Sequence, residues 1–172
     1  QLAHIALIII GEGEVSYKNQ ILPTKKVFEE NGLKSASVHL REGLSLINGT
    51  YVMTGTGIVN LILAQNLLEW SVISSSMTNE IVSSFDDYFS AGLNNIKMHS
   101  GQKIIAEKMR KIFKGSKLIK SRNNHSFSKQ SDDNYIIDKV QEYYSLRCVP
   151  QILGPVHDTL EYSEKILLNE AN

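Results

Sequence analysis

The sequence predicts a mainly α-helical protein, built as a bundle of long helices with one small β-hairpin near its N-terminus. Three observations support this fold class. No proline occurs between Pro23 and Pro150, so long helices are permitted throughout that range. Apolar residues recur there at helical spacing, while the strand pattern is confined to the stretch from Glu14 to Leu22. The 172 residues are 42% hydrophobic and 21% charged, as expected for a folded globular chain.

The N-terminal stretch predicts a helix followed by the hairpin. Leu2–Ile10 is apolar and is expected to form a buried helix, which Gly11 and Gly13 end. Residues Glu14–Tyr17 and Gln20–Leu22 have the pattern of two strands joined by an Asn-containing turn.

Two short helical stretches come next. Pro23 and Thr24 open the first, which Asn31-Gly32 ends in the manner of a left-handed C-cap. The second, Arg41–Ile47, runs into Asn48-Gly49-Thr50, where Asn or Thr could cap the start of the following helix.

A long helix from Thr56 to Ser84 and two shorter ones complete the bundle. Apolar residues of the long helix step by threes, fours and sevens and so share one face, which would suit burial between subunits: Leu63, Leu67, Trp70, Met77 and Ile81. The shorter helices carry their own apolar stripes, at Ile105, Met109, Ile112 and Phe113, and at Leu153, Val156, Leu160 and Leu167. The polar stretch Ser121–Asn134 predicts a surface loop, with mobility a possibility.

Composition narrows the classes of partner and compartment. Lys plus Arg equals Asp plus Glu at 18 each, and no basic stripe is visible, which argues against a nucleic-acid partner. The single cysteine, Cys148, excludes an internal disulfide and fits a reducing compartment, so a cytoplasmic location is expected. Cys148 itself is expected to be a small buried apolar residue, because no base is evident beside it to activate a nucleophile.

The two ends of the chain are apolar or helical, where domain termini are usually polar and loose. We therefore expect both ends to be cuts in a longer chain, and the whole of 1–172 to be the central part of it. The apolar run Leu2–Ile10 is too short to span a bilayer, which needs roughly 20 apolar residues, and no membrane association is expected.

Most local motifs carry no chemistry. Gly11-Glu12-Gly13 lacks the further glycine and the lysine of a phosphate loop. The five histidines show no metal-ligand spacing among themselves. Asp86-Asp87 is interpreted as a solvated helix end rather than a cation site, and no metal is predicted.

Pattern alone points to one face that could bind a substrate. On a helix or tight turn, Gln141, Tyr144 and Arg147 are three residues apart and present an amide, a phenol and a guanidinium together. Arginine suits a bidentate clamp on a carboxylate, and a phenol near cations can act as an acid or a base. Spacing alone favours the plainer alternative, an ion-paired surface face.

Collinear motifs along the whole chain resemble the aromatic amino acid ammonia-lyases, which include histidine, phenylalanine and tyrosine ammonia-lyases and related aminomutases. The matching stretches are Leu2-Ala-His4 running into Ile10–Glu14, Arg41–Leu44 running into Ile47–Thr50, His99–Gln102, Gln141–Gln151 and the closing Leu167–Asn172. Glu142-Tyr143 and Val149–Pro155 look most like bacterial tyrosine ammonia-lyases. Glu142-Tyr143 departs from the commoner Asp followed by Pro or a small residue, and Gln1 stands where proline is common.

The resemblance implies the helical fold of the ammonia-lyases and fumarase/aspartase-like enzymes, and an unusual cofactor. In this family an internal Ala-Ser-Gly cyclises into 4-methylidene-imidazol-5-one, abbreviated MIO. The triad would lie just upstream of Gln1, so it is not part of this chain. The base that removes the substrate β-proton would come from an upstream loop as well, and the chain alone is therefore expected to turn over nothing.

Four residues inherit roles from this resemblance. Asn48 matches the asparagine that contacts the MIO oxygen, and Tyr144 matches a tyrosine beside the MIO that serves its formation and the reaction. Arg147 matches the arginine that pairs with the substrate carboxylate, and Gln141 matches a glutamine that supports it. The family shares each active site between subunits of a homotetramer, with Asn48 and the Tyr144/Arg147 pair coming from different subunits.

The implied activity is elimination of ammonia from an aromatic L-amino acid, with tyrosine giving trans-p-coumarate as the preferred reaction. Histidine to urocanate and an aminomutase reaction remain open within the family. From another class, the chain could be a non-catalytic helical oligomerisation module. The residues upstream of Gln1 discriminate these, because an intact Ala-Ser-Gly favours an enzyme.

Overall fold

The computed structural model describes residues 2–125 and 140–172, which form two compact units, Gln1–Thr56 and Gly57–Asn172. The described residues are mostly helical and carry one two-stranded antiparallel sheet, which confirms the predicted fold class. The elements are α1 (Leu2–Ile9), β1 (Glu14–Tyr17), β2 (Gln20–Pro23), α2 (Thr24–Glu30), α3 (Glu42–Ile47), α4 (Tyr51–Ile81), a 3₁₀ turn (Asp87–Phe89), α5 (Ala91–Asn95), α6 (Ser100–Phe113), α7 (Tyr144–Arg147) and α8 (Val149–Ala171).

The first unit contains α1, the hairpin, α2 and α3. Gly11 (φ 84°) and Gly13 (φ 74°) end α1 with left-handed backbone, as the sequence predicts. The hairpin turns through Lys18 (φ 50°) and Asn19 (φ 62°), two consecutive left-handed residues of the kind a tight two-residue turn requires. The expectation that α1 is buried is wrong, because no residue of α1 is buried within this chain.

The second unit has a core formed where α4, α6 and α8 meet the 3₁₀ turn. Its fully or nearly buried side chains come from every one of these elements and from the turn before the 3₁₀ segment: Leu68, Val72, Phe85, Tyr88, Phe89, Ile105, Met109 and Val149. The predicted stripes of α6 and α8 are confirmed in part. Ile105, Met109 and Phe113 of α6 and Leu153 and Leu160 of α8 belong to or pack against this cluster, whereas Ile112 and Val156 are exposed.

Helices α6 and α8 approach closely through two glycines. A Cβ on Gly154 would lie 2.6 Å from the backbone nitrogen of Gln102, and a Cβ on Gly101 would overlap the Gly154 carbonyl oxygen. The crossing is reinforced by Asp158 of α8, whose Oδ1 accepts hydrogen bonds from the Gly101 N–H at 2.7 Å and the Ser100 hydroxyl at 2.8 Å. The second unit thus depends on backbone-to-backbone contact at this point.

Helix α4 presents most of its large apolar side chains to the outside. The predicted stripe does lie on one face, but all five of its members are exposed, at 54–76% of their surface: Leu63, Leu67, Trp70, Met77 and Ile81. The face buried in the second unit carries Leu61, Leu68, Val72, Ser76 and Asn79 instead. By length and composition alone, the helical stretch 42–81 is apolar enough to cross a membrane.

The predicted loop Ser121–Asn134 lies largely outside the described residues. Within its described part, residues 121–125 form bends and a turn, and Lys120 just before them pairs with Phe85 in an isolated parallel bridge.

Candidate active site

Tyr144 and Arg147 lie side by side on one turn of helix. In α7 the backbone N–H of Arg147 donates to the Tyr143 carbonyl at 3.0 Å, which sets the two side chains three residues apart on one face. The guanidinium carbon of Arg147 lies 4.4 Å from the centre of the Tyr144 ring. This pair is the arrangement the sequence predicts, and the cation–π contact fixes the arginine against the phenol.

The Arg147 guanidinium keeps a hydrogen-bonding capacity that the described residues leave unused. Its Nε is buried and has no hydrogen-bond partner among them. Tyr144 is 73% exposed, so the ring that supports the guanidinium faces outward. The described residues thus leave one N–H of this guanidinium unsatisfied, beside an accessible phenol.

Gln141 does not share that helical face. It lies in the bend before α7, and its side chain is exposed. The helical spacing that grouped it with Tyr144 and Arg147 is wrong at this position, because α7 begins only at Tyr144. The intervening Glu142 is 3% exposed, and its N–H donates to the Tyr88 hydroxyl at 3.0 Å.

Asn48 lies in the first unit, at the C-terminal end of α3. It follows α3 rather than capping α4, so the expected capping role of this asparagine is wrong. The turn after it is fixed by Tyr51, whose hydroxyl lies 2.8 Å from the Ser45 carbonyl oxygen. A Cβ at Gly49 would overlap the Tyr51 ring, which explains the glycine in Asn48-Gly49-Thr50. The Asn48 side chain is exposed at this turn.

Asp86 is exposed and the Asp87 side chain is 41% exposed, as expected for a solvated helix end, but both residues also bind Arg122. Asp86 Oδ1 accepts the backbone N–H of Arg122 at 2.9 Å, and Asp87 Oδ2 pairs with the Arg122 Nε at 3.2 Å. Arg122 lies 35 residues further along the chain, a separation at which sequence spacing carries no signal. The acidic pair therefore anchors an arginine.

One group of potential metal ligands escaped a search limited to histidine spacing. The ligand atoms of His157, Asp158 and Glu161 on α8 lie within 4.8 Å of one another. Asp158 already accepts two hydrogen bonds from the start of α6, which explains its position without an ion. That the protein uses no metal stays a prediction.

Cys148 lies outside the predicted chemistry. Cys148 is a free thiol of intermediate exposure, so the expectation of a buried residue is wrong.

An open cavity in the second unit has a volume of about 850 Å³. Its described lining lies between Asp86 and Ala91 and between Glu107 and Asn123. None of the four residues matched to the family lines it.

The aromatic amino acid lyase family model matches residues 1–172. The chain belongs to that family. Its relatives include a tyrosine 2,3-aminomutase of Chondromyces crocatus, 37% identical over 99% of this chain and 33% of the relative. A histidine ammonia-lyase of Myxococcus xanthus is 35% identical over 99% of this chain and 31% of the relative.

Solved structures of the lyase family share the fold. The tyrosine aminomutase of Streptomyces globisporus superposes with a TM-score of 0.78 at 30% identity, covering 97% of this chain and 33% of that one. The chain thus spans about a third of the length of these relatives. Family membership confirms the resemblance drawn from the motifs, while the roles of Asn48, Gln141, Tyr144 and Arg147 stay predictions.

Proposed function

We propose that the full-length protein containing this chain eliminates ammonia from an aromatic L-amino acid, with L-tyrosine, giving trans-p-coumarate, as the preferred substrate. The observation that carries the proposal is the Tyr144–Arg147 pair, with an unmatched buried Nε on the arginine. The chain belongs to the aromatic amino acid lyase family, and its motifs resemble those in which this arginine pairs with the substrate carboxylate.

Arg147 would hold the substrate by its carboxylate. A carboxylate accepting from two nitrogens of the guanidinium would form two parallel charge-assisted hydrogen bonds. Tyr144, stacked on the same guanidinium, limits the rotamers that the arginine can adopt. Fixing the carboxylate fixes the β-carbon, whose proton must be removed as the amine leaves.

In the proposed shared sites, Asn48 of one subunit and Tyr144 of another would contact an MIO group supplied by the chain upstream of Gln1. Both side chains are exposed, so a group carried by another part of the enzyme can reach them. An asparagine amide can donate to a ring carbonyl oxygen, and a phenol can donate or accept. When bound, the MIO supplies an electrophilic methylene that activates the substrate amine as a leaving group.

The substrate and the fate of the ammonia have two specific competitors. The Myxococcus xanthus relative is a histidine ammonia-lyase, which favours histidine as the alternative substrate. The Chondromyces crocatus relative is a tyrosine 2,3-aminomutase, which favours return of the amine to the β-carbon. Both alternatives keep the carboxylate on Arg147 and differ in the ring or in the final step.

We further propose that the protein self-associates into a homotetramer with shared active sites, in the cytoplasm. The exposed apolar stripe of α4 supports a protein partner for this face. Insertion in a membrane is disfavoured because Glu69, near the middle of α4, pairs with Lys108 and would lie at the costly centre of a bilayer. The single cysteine fits a reducing compartment.

The test is an assay of the full-length protein on tyrosine, histidine and phenylalanine. Arylacrylate and urocanate formation are followed by ultraviolet absorbance, and β-amino acids are followed by chiral chromatography. Coumarate as the main product from tyrosine is the expected result. Urocanate from histidine without coumarate from tyrosine would show that histidine is the substrate. β-Tyrosine as the main product would show that the reaction is that of an aminomutase.

If the chain is instead a non-catalytic helical oligomerisation module, the same assay should detect no product. In that case the full-length protein assembles normally but releases ammonia from none of the three amino acids. Sequencing the codons before Gln1 adds an independent check, since a catalytic protein requires the Ala-Ser-Gly triad.

A further inference from the structure

The backbone that carries Tyr144 and Arg147 is fastened at three points by side chains from elsewhere in the second unit. Arg122 Nη2 donates to the Val140 carbonyl at 3.0 Å. The Glu142 N–H donates to the Tyr88 hydroxyl at 3.0 Å, and Asn79 Nδ2 donates to the Leu146 carbonyl at 3.2 Å. We call Asn79, Tyr88 and Arg122 the segment clamp.

Tyr88 and Arg122 of the clamp are bonded to each other. Arg122 Nη2 also lies 3.1 Å from the Tyr88 hydroxyl, so a single phenol accepts from the arginine and from the Glu142 backbone. The guanidinium carbon stacks 3.5 Å from the centre of the Phe85 ring, and its Nε pairs with Asp87. Phe85 and Tyr88 belong to the hydrophobic core, so these contacts hold the start of residues 140–147 against the core.

Asn79 fastens the other end of the segment from the last turns of α4. It is fully buried, and its Nδ2 divides its bonds between the Ser75 carbonyl at 2.9 Å and the Leu146 carbonyl. Its Oδ1 accepts from the buried Ser84 hydroxyl at 2.6 Å, which fixes the orientation of the amide. Leu146 directly precedes Arg147, so this bond acts one residue away from the guanidinium.

None of these bonds involves the side chain of Tyr144 or Arg147. A helix of four residues is too short to hold its own position, because isolated turns are unstable without tertiary support. The position of the Tyr144–Arg147 pair therefore depends on what holds the flanking backbone, which is the clamp on one side and the buried Val149 of α8 on the other. Glu142 and Leu146 bracket Tyr144, and both are held by the clamp.

We propose that Asn79, Tyr88 and Arg122 are positioning residues that set the carboxylate-binding geometry of Arg147 by fixing the backbone of residues 140–147. The inference rests on the proposed function, since it assigns these residues a part in recognition of the substrate carboxylate. Loosening the clamp shifts Arg147 relative to the rest of the site, and shifts on the order of 1 Å in positioning groups are enough to cost rate.

Tyr88→Phe in the full-length enzyme is the first test. It removes the shared acceptor while keeping the buried ring, and Tyr17→Phe is the matched control because the Tyr17 hydroxyl bonds to Asn31 within the first unit. We expect Tyr88→Phe to lower kcat/KM about tenfold, mainly through KM, and the control to leave it unchanged. Arg122→Lys disrupts the same part of the clamp at a partly exposed residue, and it is the alternative variant if Tyr88→Phe folds poorly.

A pair of inhibitors separates positioning from general loss of structure. Tyr88→Phe should weaken inhibition by trans-p-coumarate much more than inhibition by the uncharged p-coumaramide, because only the acid can form a charge-assisted bidentate pair with Arg147. A double-mutant cycle with Arg147→Lys should show strongly non-additive losses. Equal weakening of both inhibitors, or additive losses, would overturn the proposal.

Amide hydrogen exchange keeps this result separate from the proposed function. Exchange at the Glu142 N–H should accelerate in Tyr88→Phe whether or not the protein is a lyase. If the wild-type enzyme converts none of the three amino acids, the proposed function fails while exchange still reports on the clamp. If exchange is unchanged in an active enzyme, the clamp does not hold the segment and the proposal falls.

Discussion

Replacing Gly154, the single glycine of α8, with alanine should strongly destabilise the second unit. The added Cβ would lie 2.6 Å from the Gln102 nitrogen and 2.8 Å from its Cα. Both are backbone atoms of α6, so no flexible side chain can move aside. Pro155 follows directly in the helix, and its ring further crowds a Cβ on the preceding residue.

The size of the destabilisation follows from the distance by which α6 and α8 would have to separate. An ordinary carbon contact requires about 3.5–4.0 Å, so α6 and α8 must part by roughly 1 Å at this crossing. That movement opens the contacts of Ile105, Met109 and Val149, which are almost fully buried in the same cluster. Overpacking of this kind costs about 3 kcal/mol.

Urea unfolding of the full-length protein and of its Gly154→Ala variant measures the cost. Gly92→Ala is the matched control, because a Cβ at Gly92 meets nothing within 4 Å and Gly92 is also helical. We expect the control to be within about 0.5 kcal/mol of the wild type. A Gly154→Ala variant as stable as the control would refute the close crossing of α6 and α8.

Three further changes test the site and the surface. Arg147→Ala should raise KM of the full-length enzyme with a smaller loss of kcat, measured by steady-state kinetics, and an unchanged kcat/KM would remove Arg147 from the site. Tyr144→Phe should impair turnover far more than thermal stability, since its ring is 73% exposed; loss of assembly without a specific defect in activity would make it structural. Leu67→Asp, on the exposed stripe of α4, should shift the protein to smaller species in analytical ultracentrifugation, and an unchanged mass would place the subunit interface elsewhere.

The N-terminal elements were predictable because their signals are local. Glycines at positive φ end α1, and Lys18-Asn19 supplies the two left-handed residues of the hairpin turn. Asn31 and Gly32 likewise end α2 as the sequence predicts, with Gly32 at φ 65°. Each of these depends on the conformational preferences of one or two residues, which no distant contact has to supply.

The candidate site was predictable only in part, for the same reason. Tyr144 and Arg147 fall together because one helical turn spans their spacing. Gln141 was misplaced because the helix begins three residues later, and helix ends are poorly determined by local pattern. Arg122, which binds both Asp87 and the Val140 carbonyl, joins parts of the chain that only the fold brings together.

Helix α4 shows why periodicity can identify a face without identifying its partner. At 100° per residue, the exposed stripe through Leu63 and Leu67 lies roughly half a turn from the buried face through Leu68 and Val72. The buried face includes Ser76 and Asn79, whose polar groups bond back to the chain, whereas the exposed face is the more apolar of the two.

A helix with its larger apolar side chains outward is stable only when something covers them. Leu67 and Trp70 are exposed in the single chain. Covering their apolar surface would contribute a stabilising free energy of about 25 cal/mol per Å² that the single chain does not gain. The sequence pattern of α4 is therefore better explained by two interfaces than by one core. The inner interface contains Asn79 of the segment clamp, and the outer one would join copies of the protein in the proposed tetramer. Both faces of α4 would then bear on the same activity, since the inner one positions Arg147 and the outer one would assemble the shared site.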